Sequence, residues 1–305
     1  MIMKILIAYD GSGSSDAALD DLTRAGLPSE GVEALVVTIA EVWLPPPDGE
    51  DGVHRHFLTE GLKRRYEESL GLVEAAAKQA ESAAERVRGH FPNWDVKSRS
   101  TYGSPAWEIL GCAEEFAPDL IVVGAKGCSA LERVLLGSVS QKVVTEAQCP
   151  VRVARGRVII DDSPIRLLVG YDGTEGSNEA VRTISGRDWR EGTQVKVLIV
   201  EDSIFIRSSL EIDVDRIKEV GAELVSDLKR AGLDAELETV EGNPKSELLD
   251  IAERWDADAI FIGATRYNDV ITKYLLGSVS SAVVARAHCS VEVVRPAAYG
   301  SEESR

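Results

Sequence analysis

Glycines at fixed spacing beside a hydroxyl are the residues of this chain best suited to chemistry, and the chemistry they suit is holding a phosphate. Gly124-Ala125-Lys126-Gly127 follows the apolar run Asp119-Leu-Ile-Val-Val123, and after nine intervening residues stands Gly137-Ser138-Val139-Ser140. The run reads as a buried parallel strand, and Leu131 to Ala147 as an amphipathic helical segment. A glycine at a strand end lets an anion approach the backbone where a Cβ would obstruct it. The helix beyond offers unpaired N–H groups and a positive dipole end, and Gly137-Ser138 adds a second close approach and a hydroxyl. The spacing G-x2-G-x9-G-[ST] is a phosphate-cradling signal but not a Walker loop. No G-x4-G-K-[ST] occurs in the chain, so that motif's lysine and magnesium-bound hydroxyl are absent.

Other residues with reactive side chains form no comparable constellation. Cys112, Cys128, Cys149 and Cys289 make neither a C-x-x-C pair nor a zinc spacing. Cys149 and Cys289, at equivalent places before a last strand, read as small buried hydrophobes. His54-Arg55-His56 lacks a third ligand and reads as a solvated turn. No catalytic residue and no metal site is assigned.

The elements that must position the glycines alternate as βαβαβαβαβ. Lys4 to Tyr9 is a strand ending in Asp10-Gly11-Ser12, followed by a helix, a strand over Ala34 to Ala40 and a loop carrying Pro45-Pro46-Pro47. A long helix over about Glu60 to Arg88 follows, then a strand near Asp95 to Thr101. The turn Gly103-Ser104-Pro105 opens the next helix, and Val151 to Ala154 is the last strand. This order implies a parallel sheet with helices on both faces. The same pattern then recurs. Ile165 to Tyr171 leads into Asp172-Gly173-Thr174, and Leu135-Leu-Gly-Ser-Val-Ser140 reappears letter for letter as Leu275-Leu-Gly-Ser-Val-Ser280. Two landmarks in the same order mean a duplicated domain. The expected domains are 1–157 and 158–305, linked across Gly156 to Pro164. Each last strand would be an apolar sheet edge, so the repeats are expected to pair through Val151 to Ala154 and Val291 to Val294.

Composition narrows the function classes. With 44% hydrophobic and 28% charged residues the chain is of globular type, and a formal charge of -17 argues against nucleic acid or an anionic membrane as partner. No apolar run reaches spanning length. The chain enters its first strand directly after Met-Ile-Met, which leaves no room for a signal peptide, and its cysteine usage suits a reducing compartment. The cytoplasm is the expected location.

Taken together, Tyr9-Asp10-Gly11-Ser12, Gly103-Ser104-Pro105, the complete Gly124, Gly127, Gly137-Ser138 signature and Cys149-Pro150-Val151 resemble a tandem universal stress protein over nearly the whole chain. The resemblance implies two flavodoxin-like, Rossmann-like α/β domains, each with five parallel strands in the order 3-2-1-4-5. It also implies the ATP-binding branch of the family. Asp10 would lie by the adenine and ribose, Ile39 would offer backbone to the base, and Gly124, Gly127, Gly137, Ser138, Val139 and Ser140 would line the phosphates, with or without Mg2+. The residues alone leave other roles open: Asp10 as a helix cap, Gly137 and Ser138 as a packing turn. The second repeat departs from the signature. It reads Gly263-Ala-Thr-Arg266-Tyr-Asn268, with Arg266 in place of the second glycine, and its interval from 263 to 277 is one residue longer than that from 124 to 137. The leading expectation is an ATP-binding stress or signalling protein with little or no turnover. A slow ATPase or phosphotransferase using Ser138 or Ser140 remains an alternative, as does a nucleotide-free interaction module. The expected partners are ATP and the other half of the same chain, with a homodimer of whole chains left open.

Overall fold

The computed structural model describes residues 2–42, 60–125, 136–155, 163–201, 214–266 and 274–296. Gly127, Lys126, Arg133, Cys128, His54-Arg55-His56, Pro45-Pro46-Pro47, most of the expected linker, Asn268 and the tail from Ala297 lie outside these residues. In the N-terminal half the elements are β1 (Met3–Ala8), α1 (Gly13–Asp21), β2 (Val32–Ala40), α2 (Glu60–His90), β3 (Asp95–Tyr102), α3 (Pro105–Phe116), β4 (Leu120–Gly124), α4 (Ser138–Glu146) and β5 (Val151–Ala154). The C-terminal half runs β6 (Arg166–Gly170), α5 (Glu175–Ser185), β7 (Gln194–Glu201), α6 (Val214–Arg230), β8 (Asp234–Glu241), α7 (Pro244–Arg254), β9 (Ala259–Gly263), β10 (Thr265–Arg266), β11 (Tyr274–Leu275), α8 (Ser278–Arg286) and β12 (Ser290–Val294).

Local sequence explains most of these boundaries. Ser12 caps α1, its hydroxyl accepting the Ser15 N–H, and Thr174 does the same for α5 through Ser177. Pro105 and Pro244 open α3 and α7, where a missing N–H costs nothing. The strands β1, β4, β6 and β9 carry unbroken apolar runs through their centres because helices cover both faces of the sheet.

Each half has the strand order 3-2-1-4-5 with parallel neighbours, but the halves do not form two separate sheets. They form one ten-stranded sheet in the order β3-β2-β1-β4-β5-β12-β9-β6-β7-β8. The seam is antiparallel, with Val151 opposite Val293, Arg152 opposite Glu292 and Val153 opposite Val291. Each last strand thereby satisfies the other's open edge. One face of this sheet carries a single core running across the seam. Leu6, Ile121 and Val151 join Leu168, Ile260 and Val291 in it, beneath α3, α4, α7 and α8. The opposite face holds two separate cores, under α1 and α2 in one half and α5 and α6 in the other.

Two features differ from the sequence expectation. The helix expected from Leu131 begins at Ser138, because Gly137 is extended (φ -62, ψ 147) and serves as its N-cap; residues 131–135 lie outside the described set. The segment after β9 carries a small antiparallel pair, Thr265–Arg266 against Tyr274–Leu275, that no pattern in the sequence announced.

Candidate functional site

A cleft of about 420 Å³ opens at the carboxyl ends of β1, β2 and β4. β1 pairs with β2 on one side and β4 on the other, so the strand order reverses there, and such switch points are where ligands enter doubly wound sheets. The volume falls within the range of roughly 300–1,000 Å³ usual for small-molecule sites. Of the residues singled out by sequence, Asp10, Ile39, Gly124, Gly137, Ser138, Val139 and Ser140 all line this cleft. Gly127 lies outside the described residues.

The floor is set by how β2 outruns β1. The last β1 pair is Ala8 with Val37, and Tyr9 still donates its N–H to the Val37 carbonyl at 2.9 Å. Alternation along a strand turns the N–H and C=O of Ile39 to the same side as those of Val37. There β1 has ended, so the peptide edge of Ile39 faces the cleft. Ala40 points the other way, its carbonyl accepting the Gly103 N–H at 3.0 Å.

One wall is the turn from β1 into α1. Asp10 is solvent-facing and its Oδ1 accepts the Ser12 N–H at 2.9 Å. It is thus not the helix cap, a role taken by Ser12. Partial burial pushes the Asp10 carboxyl up, but hydrogen bonds from the Ser12 hydroxyl and N–H and from Ser15 outweigh it and hold the group below the usual carboxylate range. Asp10 is therefore ionised at neutral pH. Beside it Tyr9 donates its hydroxyl to Asp16 Oδ1 at 2.8 Å, and Arg86 holds the same carboxylate from α2.

The opposite wall is the start of α4. Gly137 provides no side-chain cap, and the first intrahelical bond to its carbonyl comes from Gln141 at 2.9 Å. The N–H groups of Ser138, Val139 and Ser140 accordingly have no intrahelical acceptor, and they sit at the positive end of the helix. Gly137 has backbone angles open to any residue, so conformation does not demand a glycine there.

Gly124 has a different reason for being glycine. A Cβ built there would lie 2.6 Å from the Ser14 carbonyl oxygen, 2.7 Å from its carbon and 2.9 Å from the Ser15 nitrogen. The first turn of α1 rests on the strand end where the side chain would be. Gly263 repeats the arrangement against Gly176, at 2.2 Å from its carbonyl carbon. Ser140 is committed as well: it is buried and donates its hydroxyl to the Gly124 carbonyl at 2.7 Å, as Ser280 does to Gly263 at 3.0 Å. Ser138, by contrast, is exposed.

Sequence reasoning missed several lining residues, among them Glu41, Pro105, Ile109 and Ser14. Glu41 stands two residues past Ile39 and so shares its side of the strand path, a signal that period-two reading could have used. Pro105 and Ile109 lie four apart on α3, the helical counterpart of that signal. Among the described residues no group of three or more His, Cys, Asp or Glu could hold a metal, and no helix is long and apolar enough to cross a membrane.

A family model described as the universal stress protein family matches residues 1–155 and again 165–295. The chain is similar to universal stress protein Rv2005c of Mycobacterium tuberculosis, 27% identical over 304 residues and covering 95% of this chain and 96% of that one. It is also similar to universal stress protein YxiE of Bacillus subtilis, 33% identical over 163 residues, which span 51% of this chain and 100% of the relative. Among solved structures it shares its fold with a universal stress protein from Archaeoglobus fulgidus, at TM-score 0.65 and 22% identity over 96% of each chain.

Proposed function

The chain belongs to the universal stress protein family, and from that premise we propose that its N-terminal half binds ATP in this cleft and acts through the bound state rather than by turnover. The observation that carries the reading is the uncapped start of α4. Three N–H groups without intrahelical acceptors border a cleft that also exposes the peptide edge of Ile39. In this reading the Ile39 edge meets the adenine, Asp10 lies by adenine and ribose, and the Gly137-Ser138-Val139-Ser140 backbone takes the phosphates together with Gly124 and Gly127. Among the described lining residues the charged side chains are Asp10 and Glu41, both acidic. Mg2+ arriving with the phosphates would offset part of that negative field. The protein is proposed to work in the cytoplasm.

Two points weigh against an enzyme. A phosphoryl transfer needs a group that orients the nucleophile and a cation on the developing charge, and among the described lining residues no basic side chain is present for the second role. Ser140, one of the two serines named as phosphoryl acceptors, already donates to the Gly124 carbonyl. The second half is proposed to remain empty at ordinary nucleotide levels, since Arg266 stands where Gly127 does in the first. Losing even one charge-assisted hydrogen bond, worth about 1.5–3 kcal/mol, weakens binding about tenfold or more.

Titration calorimetry with ATP on the intact protein tests this. One tight site per chain is expected, abolished by Gly127→Arg and kept in Gly277→Arg. Two equal sites, or loss only with the change at 277, would move the working pocket to the other half. Mass spectrometry of small molecules released on denaturation should find ATP; protein that carries none and titrates with none would favour an interaction module. Turnover of about 1 s⁻¹ or faster would favour the enzyme.

A further inference from the structure

We infer that the seam between the halves is coded by charge, so that the edge of an N-terminal half accepts the edge of a C-terminal half and rejects another of its own kind. The seam is laid out about a local two-fold centred on Arg152 and Glu292, which face each other in the β5–β12 ladder. These are equivalent residues of the duplication, the fourth in Cys149-Pro150-Val151-Arg152 and in Cys289-Ser290-Val291-Glu292. A pairing of like halves would therefore bring two arginines, or two glutamates, to one spot where the present side chains are 1% and 0% exposed.

The neighbours extend this contact into a row of alternating sign. Arg152 donates from Nε to Asp21 Oδ2 at 2.6 Å, from Nη2 to Asp21 Oδ1 at 3.1 Å, and from Nη1 to Glu292 Oε2 at 3.3 Å. Glu292 in turn accepts from Arg187, at 2.9 Å to Oε2 and with a second contact to Oε1. Asp21 and Arg152 belong to one half, Glu292 and Arg187 to the other, so the row reads minus, plus, minus, plus. Joining two N-terminal halves turns it into minus, plus, plus, minus, and joining two C-terminal halves gives plus, minus, minus, plus. Each half keeps its own pair, but the central attraction becomes repulsion at a site from which water is excluded.

The valine rungs and the two flanking arginines do not discriminate. Valines meet valines on both sides of the centre. Arg155 and Arg295 are also equivalent residues, and each reaches across to the last helix of the opposite half. Arg155 Nη1 donates to the Ala287 carbonyl at 2.7 Å, while Arg295 donates to the Cys149 carbonyl at 2.9 Å and to that of Val144. Such contacts would survive in a pairing of like halves. A second mismatch of shape supports the same selectivity. Trp189 lies so close over Gly26 that a Cβ there would come within 2.6 Å of the ring. Counted from Asp10 and Asp172, the residue equivalent to Gly26 is Asp188, and a second C-terminal half would meet the ring with that side chain.

The test uses the full chain with a protease site placed between Arg155 and Ser163, cleaved after folding. Isotope-labelled and unlabelled samples are mixed, unfolded, refolded and weighed by native mass spectrometry. Pairs of one N-terminal with one C-terminal half are expected from the natural seam, with like pairs appearing once Arg152→Met and Glu292→Met are combined. Like pairs equally abundant with the natural seam, or still absent from the neutral one, would overturn the proposal. An independent readout keeps the chain uncut: urea midpoints of the two single variants and of the double. The double is expected to lose less than the sum of the singles, since either single change already removes the same Arg152–Glu292 contact. Strict additivity would overturn the coupling on which the code rests.

Discussion

Gly124→Ala separates packing from binding most sharply. The added methyl would sit 2.6–2.9 Å from three backbone atoms of Ser14 and Ser15. Ordinary contact begins near 3.4 Å, so the first turn of α1 must retreat by about 0.8 Å, against the Ser12 cap that fixes the Ser15 N–H. Overpacking of this kind costs about 1–3 kcal/mol, which is roughly 2–12 °C in melting temperature at ~2–4 °C per kcal/mol. Gly137→Ala is the control. Its φ of -62 and ψ of 147 admit a side chain, and the loss of a favoured cap residue is offset by reduced unfolded-state freedom, so the net change is within about 1 kcal/mol. Melting followed by circular dichroism without ligand, then calorimetry with ATP, reads both effects. Gly124→Ala should lower the melting temperature, while Gly137→Ala should keep it and weaken ATP. If Gly124→Ala melts where the parent does and has lost only ATP, the close backbone contact is not what requires that glycine, and the reasoning fails.

Further expectations concern the seam and the hydroxyls. Ser140→Ala should cost about 1 kcal/mol by removing the bond to the Gly124 carbonyl, whereas Ser138→Ala at an exposed site should leave urea stability unchanged and lower ATP affinity. Arg155→Ala and Arg295→Ala should each destabilise by about 1–3 kcal/mol, since each removes charged hydrogen bonds at a helix C-terminus; denaturant midpoints unmoved by either change would contradict this. Burial pushes the Cys149 thiol up to about 11 and that of Cys289 up to about 12. In the unfolded chain thiols lose their protons near pH 8.5. The native state thus holds those protons more tightly, and the associated stability is complete below that pH and is lost as pH rises toward 11–12. Urea midpoints that stay level through the alkaline range would refute the sign, as would rapid alkylation of Cys289 in the native protein.

Much of the fold was legible because parallel strands buried on both faces leave unbroken apolar runs, and because the duplication printed every landmark twice. The helix Val214–Arg230 follows from such signals, whereas the strand order within each half was implied by the family resemblance. The helix start at Ser138 was not legible. Leu131 to Leu136 has apolar periodicity of its own, and only the extended backbone of Gly137 shows that the helix begins after it. For the cleft, sequence singled out Gly124 and Gly137, which both line it, but could not apportion their reasons. Gly124 answers to the backbone of α1, whereas the backbone angles of Gly137 are open to any residue. Glu41 was overlooked because the period-two reading stopped with the strand at Ala40, one residue before it. Arg152 passed as one more residue of an edge strand, since its meaning arises only opposite Glu292.

The position of β12 has a consequence for synthesis. This strand lies between β5 and β9, inside the sheet, yet its residues Ser290–Val294 are made long after β5 (Val151–Ala154). At ~5–20 residues per second, translation from residue 154 to residue 294 takes roughly 7–28 s. During that interval the nascent N-terminal half can complete its five strands but holds β5 uncovered, with Val151 and Val153 on an unpaired edge. On a crowded ribosome the nearest similar edge belongs to the neighbouring nascent chain. The arginine at the middle of that edge meets another arginine there, and each waiting half is kept apart from its twin until its own C-terminal strand arrives.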